Sequence, residues 1–323
     1  MSCAVSPDYY MVLTRARLIP LRLSAPSSTW MPTLALLLGA TSWGILWYPF
    51  RVIEGGGLAA PLATFFAYLV ALVVGGLAFR RVWVEFALHP TWLVAIGICA
   101  GITNVTYLVA IMQAEVVRIV LLFYLAPLWT VPLAHFILKE RLTLTGYAVM
   151  VLAMSGAVVM LWRPELGLPL PRNVYEWMGL CAGFTFALSN VLVKGAHQVS
   201  PEAKSLSGCI GVLAVALPVA LVLAPPALSL QQLPALIAPH LLLLSVIGVV
   251  LISTSVALQY GLSHLSANRA AVIMLFELVV AAAAAHYLAG EVTRLLDWIG
   301  GAMIVSAGMI ATGAERYAEN DRK

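Results

Sequence analysis

From residue order alone, the chain is an all-α polytopic membrane protein whose ten transmembrane helices form two inverted five-helix repeats. Three observations lead there. Of 323 residues, 62% are apolar and only 10% charged, with a mean hydropathy of +0.97, whereas soluble domains carry about 25% charged residues. The apolar residues gather into runs of roughly 20, the helix length that crosses about 30 Å of hydrocarbon. Rare polar positions of the first half also recur in the second at a near-constant offset. This composition excludes a cytosolic enzyme, a nucleic-acid-binding protein and a disordered chain.

Residues 1–30 differ from the rest, with Arg15, Arg17 and Arg22 among Ser and Pro and no long apolar run. They read as a cytoplasmic arm, and Met31 offers an alternative start that would omit them. The first run, 31–50, carries Trp43, Trp47 and Tyr48. It is longer than the core of a cleaved signal and many more spans follow, so it is retained as a helix. The later spans fall at about 59–79, 91–112, 117–137, 144–162, 176–195, 205–224, 240–261, 268–289 and 295–313, leaving a cytoplasmic tail at 314–323. Repeat one is then 31–162 and repeat two 176–313. The longest connections, 163–175 and 225–239, are Pro-rich. Neither can hold a soluble domain, so the function belongs to the membrane region.

Ten spans put both termini on one side. That side carries 13 of the 18 Lys and Arg residues and the other side 5, which places the termini in the cytoplasm of a multi-pass protein of the inner or plasma membrane. Without the two tails the counts are 7 and 5, so the tails supply most of the bias. Cys3, Cys99, Cys181 and Cys209 stand singly, which points away from a disulfide and from a metal or redox centre.

An offset of 151 residues sets Ile96-Gly97 on Ile247-Gly248, Thr103 on Thr254, Arg118 on Arg269 and His135 on His286. Glu140 falls on Glu291, and Thr143 falls one place from Thr293. Upstream, an offset of 143 sets Trp43-Gly44 on Phe186-Ala187 and Arg51 on Lys194. With five spans each, the second repeat must enter the membrane from the opposite side. Inverted repeats are the architecture of secondary transporters, which rock two halves around a site near the midplane.

The residues resemble the drug/metabolite transporter superfamily, in its ten-helix EamA-type branch. The likeness rests on Trp43-Gly44, Leu125-Ala126-Pro127-Leu128, Lys139-Glu140-Arg141-Leu142-Thr143, Gly146 and Gly156. In the second half it rests on Asn268-Arg269-Ala270, Leu275-Phe276-Glu277 and Gly290-Glu291-Val292-Thr293. It covers Met31 to Gly313. The stretch Phe123-Tyr124-Leu125-Ala126-Pro127 is similar to the fourth helix of amino-acid exporters in that superfamily, the aromatic amino-acid exporter included. Leu278 departs from the family's proline, which puts a kink in the ninth span in doubt. The resemblance implies a central cavity bordered by spans one, three, four, six, eight and nine.

Candidate substrate-binding residues are Trp43, Asn104, Tyr107, Tyr124, Asn190 and Glu277. A carboxylate in mid-span is costly unless it faces a cavity, where it marks an ion or substrate path. Glu277 is therefore read as a proton site or a partner for a substrate ammonium; the plainer reading is a carboxyl that pins helix packing. Aromatic rings with a few amides suit a small amphipathic solute, although Asn190 is also suited to a cross-helix bond. Tyr48, Trp129 and Tyr260 belong to the same set of spans, with Tyr48 and Tyr260 near the interfaces. Arg118, His135, Arg269 and His286 are gating or coupling candidates. For the arginines, snorkelling to the headgroups is the favoured reading; for the histidines, it is a helix-end contact. Pro49, Pro127, Pro132 and Pro218 set bends, and Gly146, Gly156, Gly300, Gly301 and Gly308 permit close helix approach.

No GxxxxGK[ST] phosphate loop and no HExxH stretch occurs in the sequence, so neither ATP nor a bound metal is called for and no cofactor is expected. The expectation is a secondary transporter, not an enzyme, that exports small organic metabolites, above all amino acids, by alternating access. Its partners are a small-molecule substrate, membrane lipids and protons, with no nucleic acid, in a monomer or weak dimer. Sugars, nucleosides or drugs are the alternative cargo. A channel or scaffold is the alternative class, although the spans offer no ring-like filter.

Overall fold

Mid-span interruptions decide how this bundle is built. The computed structural model describes residues 30–58, 60–114, 116–162, 170–223, 233–290 and 294–320. The arm before Trp30, the Pro-rich linker segments 163–169 and 224–232, and Glu291, Val292 and Thr293 lie outside the described residues. Repeat one comprises α1 (Trp30–Gly55), α2 (Ala60–Ala78), α3 (Val82–Leu88), α4 (Pro90–Gln113), α5 (Val116–Phe123), α6 (Ala126–Leu138) and α7 (Leu144–Leu161). Repeat two comprises α8 (Val174–Gly195), α9 (Pro201–Leu223), α10 (Leu233–Ile237), a short 3-10 turn, α11 (Leu241–His264), α12 (Ala267–Met274), α13 (Phe276–Ala289) and α14 (Leu295–Asn320). Among the described residues there is no β-strand.

Eight stretches are long and apolar enough to cross a membrane. The 23-residue α9 and the apolar part of α14, Leu295–Ala311, complete the expected ten. The fourth and ninth spans are each two helices in line. In repeat one the break falls at Tyr124-Leu125, where Leu128 N–H bonds the Leu125 carbonyl at 2.9 Å, and Pro127 occupies the first turn of α6. In repeat two it falls at Leu275, where Leu278 N–H bonds the Leu275 carbonyl at 3.1 Å. The doubt raised by Leu278 is thus removed: the ninth span breaks without proline, through a tight i to i−3 turn.

The packing repeats with the sequence. α4 lies against α8 and α9 as α11 lies against α1 and α2, α6 meets α8 as α13 meets α1, and α7 pairs with α14. The caps repeat as well. Lys139 (φ 58°) and Gly290 (φ 68°) end α6 and α13 in the left-handed conformation, their N–H groups on Ala134 O and Ala285 O. Of the five glycines expected to admit close contacts, Gly156 and Gly300 do so. A Cβ on Gly156 would stand 2.7 Å from Gly300 O, while one on Gly308 would meet nothing within 4 Å.

Candidate functional site

The two breaks and the middle turns of α1, α2, α4, α8, α9 and α11 enclose a cavity of about 200 Å³. Residues of both repeats contribute to its lining, so the cavity lies between the two halves. Trp43, Asn104, Tyr107, Tyr124, Asn190 and Glu277 all line it. An adjoining recess of about 140 Å³, which shares Trp43, Tyr68, Asn104 and Tyr107, extends past Phe50, Thr64 and Leu108 toward the bundle end away from the termini. Toward the other end the packing is shut: Val193, Ala196, Val199, Leu206, Leu262 and Leu265 are buried.

Aromatic rings make the wall continuous. Phe123 stands 4.8 Å from Tyr107, 5.2 Å from Tyr124 and 5.2 Å from Phe186, measured between ring centroids. The amides are held by backbone and neighbours: Asn104 Nδ2 donates to Ala100 O at 3.0 Å, and Tyr68 Oη donates to Asn104 Oδ1 at 3.5 Å. Asn190 Nδ2 reaches Met274 Sδ at 3.7 Å, so this residue bonds across helices while also bordering the cavity.

Glu277 sits in the first turn of α13. The carboxylate thus lies within one turn of the break at Leu275. The Tyr124 hydroxyl donates to that carboxylate from the opposite break. Among the described residues lining the cavity, Glu277 alone carries a formal charge.

Tyr68, Phe123, Phe186, Ser189, Ser255 and Gln259 also line the cavity, and none of them was among the substrate-binding candidates read from the sequence. Phe186 was recoverable, since the 143-residue offset pairs it with Trp43; Ser255 was too, because the 151-residue offset pairs it with Asn104. Trp129 packs on Phe184 with ring centroids 5.5 Å apart and does not border the cavity. Tyr48 pairs with Trp47 and Tyr260 with His264, also away from it.

The four gating or coupling candidates lie outside the cavity. Snorkelling is replaced by burial for both arginines. Arg118 is 5% exposed and pairs with Glu176 at 2.8 Å, with a second bond to Leu170 O. Arg269 is 6% exposed and donates to Thr33 Oγ1 at 3.1 Å. The pairs correspond, since Thr33 and Glu176 are 143 residues apart, so each arginine ties a broken span to the start of the opposite repeat's first helix. His135 is exposed, its Nδ1 3.3 Å from Glu140 O, and His286 meets Tyr287 edge-on with ring centroids 5.0 Å apart.

Glu140 performs a cross-repeat task of its own. Its Oε2 accepts the Ala267 N–H at 3.1 Å, which caps α12. Burial raises its pKa, opposed by that bond and by Lys194.

The family model of the EamA-like transporter family matches residues 30–162 and 174–312, one copy per repeat. An "uncharacterized transporter" of Archaeoglobus fulgidus is 25% identical over 223 residues, which span 68% of this chain and 75% of that protein. A crystal structure matches with a TM-score of 0.67 at 20% identity over 88% of this chain and 99% of its own, a likeness of fold alone. The two matched repeats, the polytopic helical fold and the cavity between the halves lead to one conclusion: the chain belongs to the EamA-like transporter family.

Proposed function

We propose that this membrane transporter is a secondary carrier that exports small organic metabolites bearing an ammonium group, amino acids foremost, by alternating access through the central cavity. The observation that carries this reading is Glu277, held at a helix break by Tyr124 and faced by an aromatic wall. Such a carboxylate matches an ammonium by charge, and rings attract the same group through their faces. Asn104, Asn190 and nearby serines give a substrate's other polar atoms hydrogen-bond partners. The inverted halves allow the cavity to face either side in turn, and the substrate favours closure through contacts that differ between the two states. On this reading the termini are cytoplasmic and the cargo moves outward. Glu277 also exchanges a proton when the cation leaves.

The test is substrate competition in proteoliposomes with wild type, Glu277→Gln and Trp43→Ala. The expected result is a loss of apparent affinity of about tenfold or more for ammonium-bearing solutes in Glu277→Gln, the scale of a lost charged contact. Trp43→Ala should show a smaller loss. Unchanged competition in both, with folded protein, removes the cavity from substrate binding.

A further inference from the structure

Beneath the shut end of the cavity lies a second charged feature. Lys204, in the first turn of α9, is 1% exposed. Its ammonium donates to Ser263 Oγ at 2.7 Å. Lys194, in the last turn of α8, donates to the carbonyl oxygen of the same serine at 3.2 Å. Neither lysine is in an ion pair among the described residues. Glu85, whose carboxylate accepts Ser200 N–H at 2.7 Å, and Glu140 act on them only through space.

Two ammonium groups meeting on one neutral serine repel each other, and burial weakens the screening that water would provide. The place is unfavourable for a cation in another way, because Lys204 stands at the positive end of α9. One bond each to Ser263 leaves donors to spare on both ammonium groups. An anion satisfies all of these conditions at once. The position also fits the transport path: Ser205 and Leu262, the chain neighbours of Lys204 and Ser263, line the cavity. Repeat symmetry accounts for Lys194, which the 143-residue offset sets on Arg51, but not for Lys204, which it sets on Pro61.

We infer that Lys194 and Lys204 form a carboxylate-recognition site at the terminus-bearing end of the transport path. This rests on the proposed ammonium site at Glu277 and deepens it: the cargo is a zwitterion whose carboxylate meets the lysines as that end opens and whose ammonium then meets Glu277. The lysines thereby select amino acids over the amines that lack a carboxylate.

Two half-ligands separate the sites. N-acetyl-L-phenylalanine has the carboxylate without the ammonium, and L-phenylalaninamide has the ammonium without the carboxylate. Each is tested as a competitor of labelled L-phenylalanine and as a stabiliser of the purified full-length protein against heat. Lys204→Met and Lys194→Met are expected to weaken competition by N-acetyl-L-phenylalanine about tenfold, the effect of a lost charge contact, and to leave L-phenylalaninamide nearly unaffected. Equal loss for both probes, or for neither, overturns the lysine site. Should the methionine variants fail to fold, Lys204→Arg and wild type are compared by thermal shift. Stabilisation of both by N-acetyl-L-phenylalanine supports the site, and its absence in wild type overturns it. Failure of L-phenylalaninamide alone, in wild type, points instead to failure of the Glu277 reading.

Discussion

At the residue scale, polar groups outside the cavity hold the two repeats together, and their partners decide what substitution does. Arg118 and Glu176 are buried together. Removing one member of such a pair leaves an uncompensated charge, so Glu176→Ala should cost about 3–5 kcal/mol of stability, while a double change of Arg118 and Glu176 to apolar residues should cost less. Thermal unfolding of the purified variants measures this. Glu140 provides a contrasting case. Folding raises its pKa, so its contribution is greatest with the carboxyl protonated and falls as pH rises through the folded-state value. Glu140→Gln keeps an acceptor for the Ala267 N–H and should flatten that pH dependence with little net loss. Glu140→Ala loses the cap and should cost about 1 kcal/mol. If the two variants melt alike, the cap assignment is wrong. The sequence made Trp43, Asn104, Tyr107, Tyr124, Asn190 and Glu277 legible, because an amide, ring or carboxylate in mid-span stands out against aliphatic neighbours, although the rings of Tyr68, Phe123 and Phe186 were passed over. Ser189 and Gln259 were not legible, since small or singly occurring polar residues also bond within their own helices. The burial of Arg118 and Arg269 was hidden for another reason: an arginine at a span's edge looks alike whether it meets lipid headgroups or Glu176 and Thr33.

At the element scale, the breaks in the fourth and ninth spans do most to shape the site. The apolar pattern ran unbroken through both, because hydropathy reports burial in lipid and not backbone turns. Pro127 marked the first break, and nothing in the composition around Leu275 marked the second. The close approach of the neighbouring helices was partly legible in glycine. A Cβ on Gly44 would stand 2.9 Å from the Glu277 carbonyl, and one on Gly183 would stand 2.5 Å from that of Phe123. Each glycine lets a whole helix rest against a break. Gly44→Ala and Gly183→Ala should therefore move the break and its cavity residues, weakening substrate affinity several-fold or, through overpacking, costing about 1–3 kcal/mol. Gly308→Ala, with open space at its Cβ, is the control. Equal behaviour of all three in transport and thermal stability would contradict this account of the breaks.

At the scale of the whole molecule, the duplication was the most informative feature of the sequence, because ordered recurrence of rare residues implies a second copy of the same packing. The structure repeats its helix contacts, its left-handed caps and its buried arginine ties. The chemistry is unequal between the halves. At equivalent positions Trp43, Asn104, Tyr107 and Phe123 face Phe186, Ser255, Leu258 and Met274, and Glu277 has Ala126 as its counterpart. On the proposed reading, a symmetric frame alternates while an asymmetric lining orients the solute. The measurement that tests it most directly is counterflow in proteoliposomes of the purified full-length protein, with radiolabelled L-phenylalanine outside and unlabelled L-phenylalanine trapped inside. Saturable, transient accumulation of label that depends on the trapped substrate is the expected result. Label entering without saturation contradicts alternating access, and no accumulation by folded protein contradicts the amino-acid assignment.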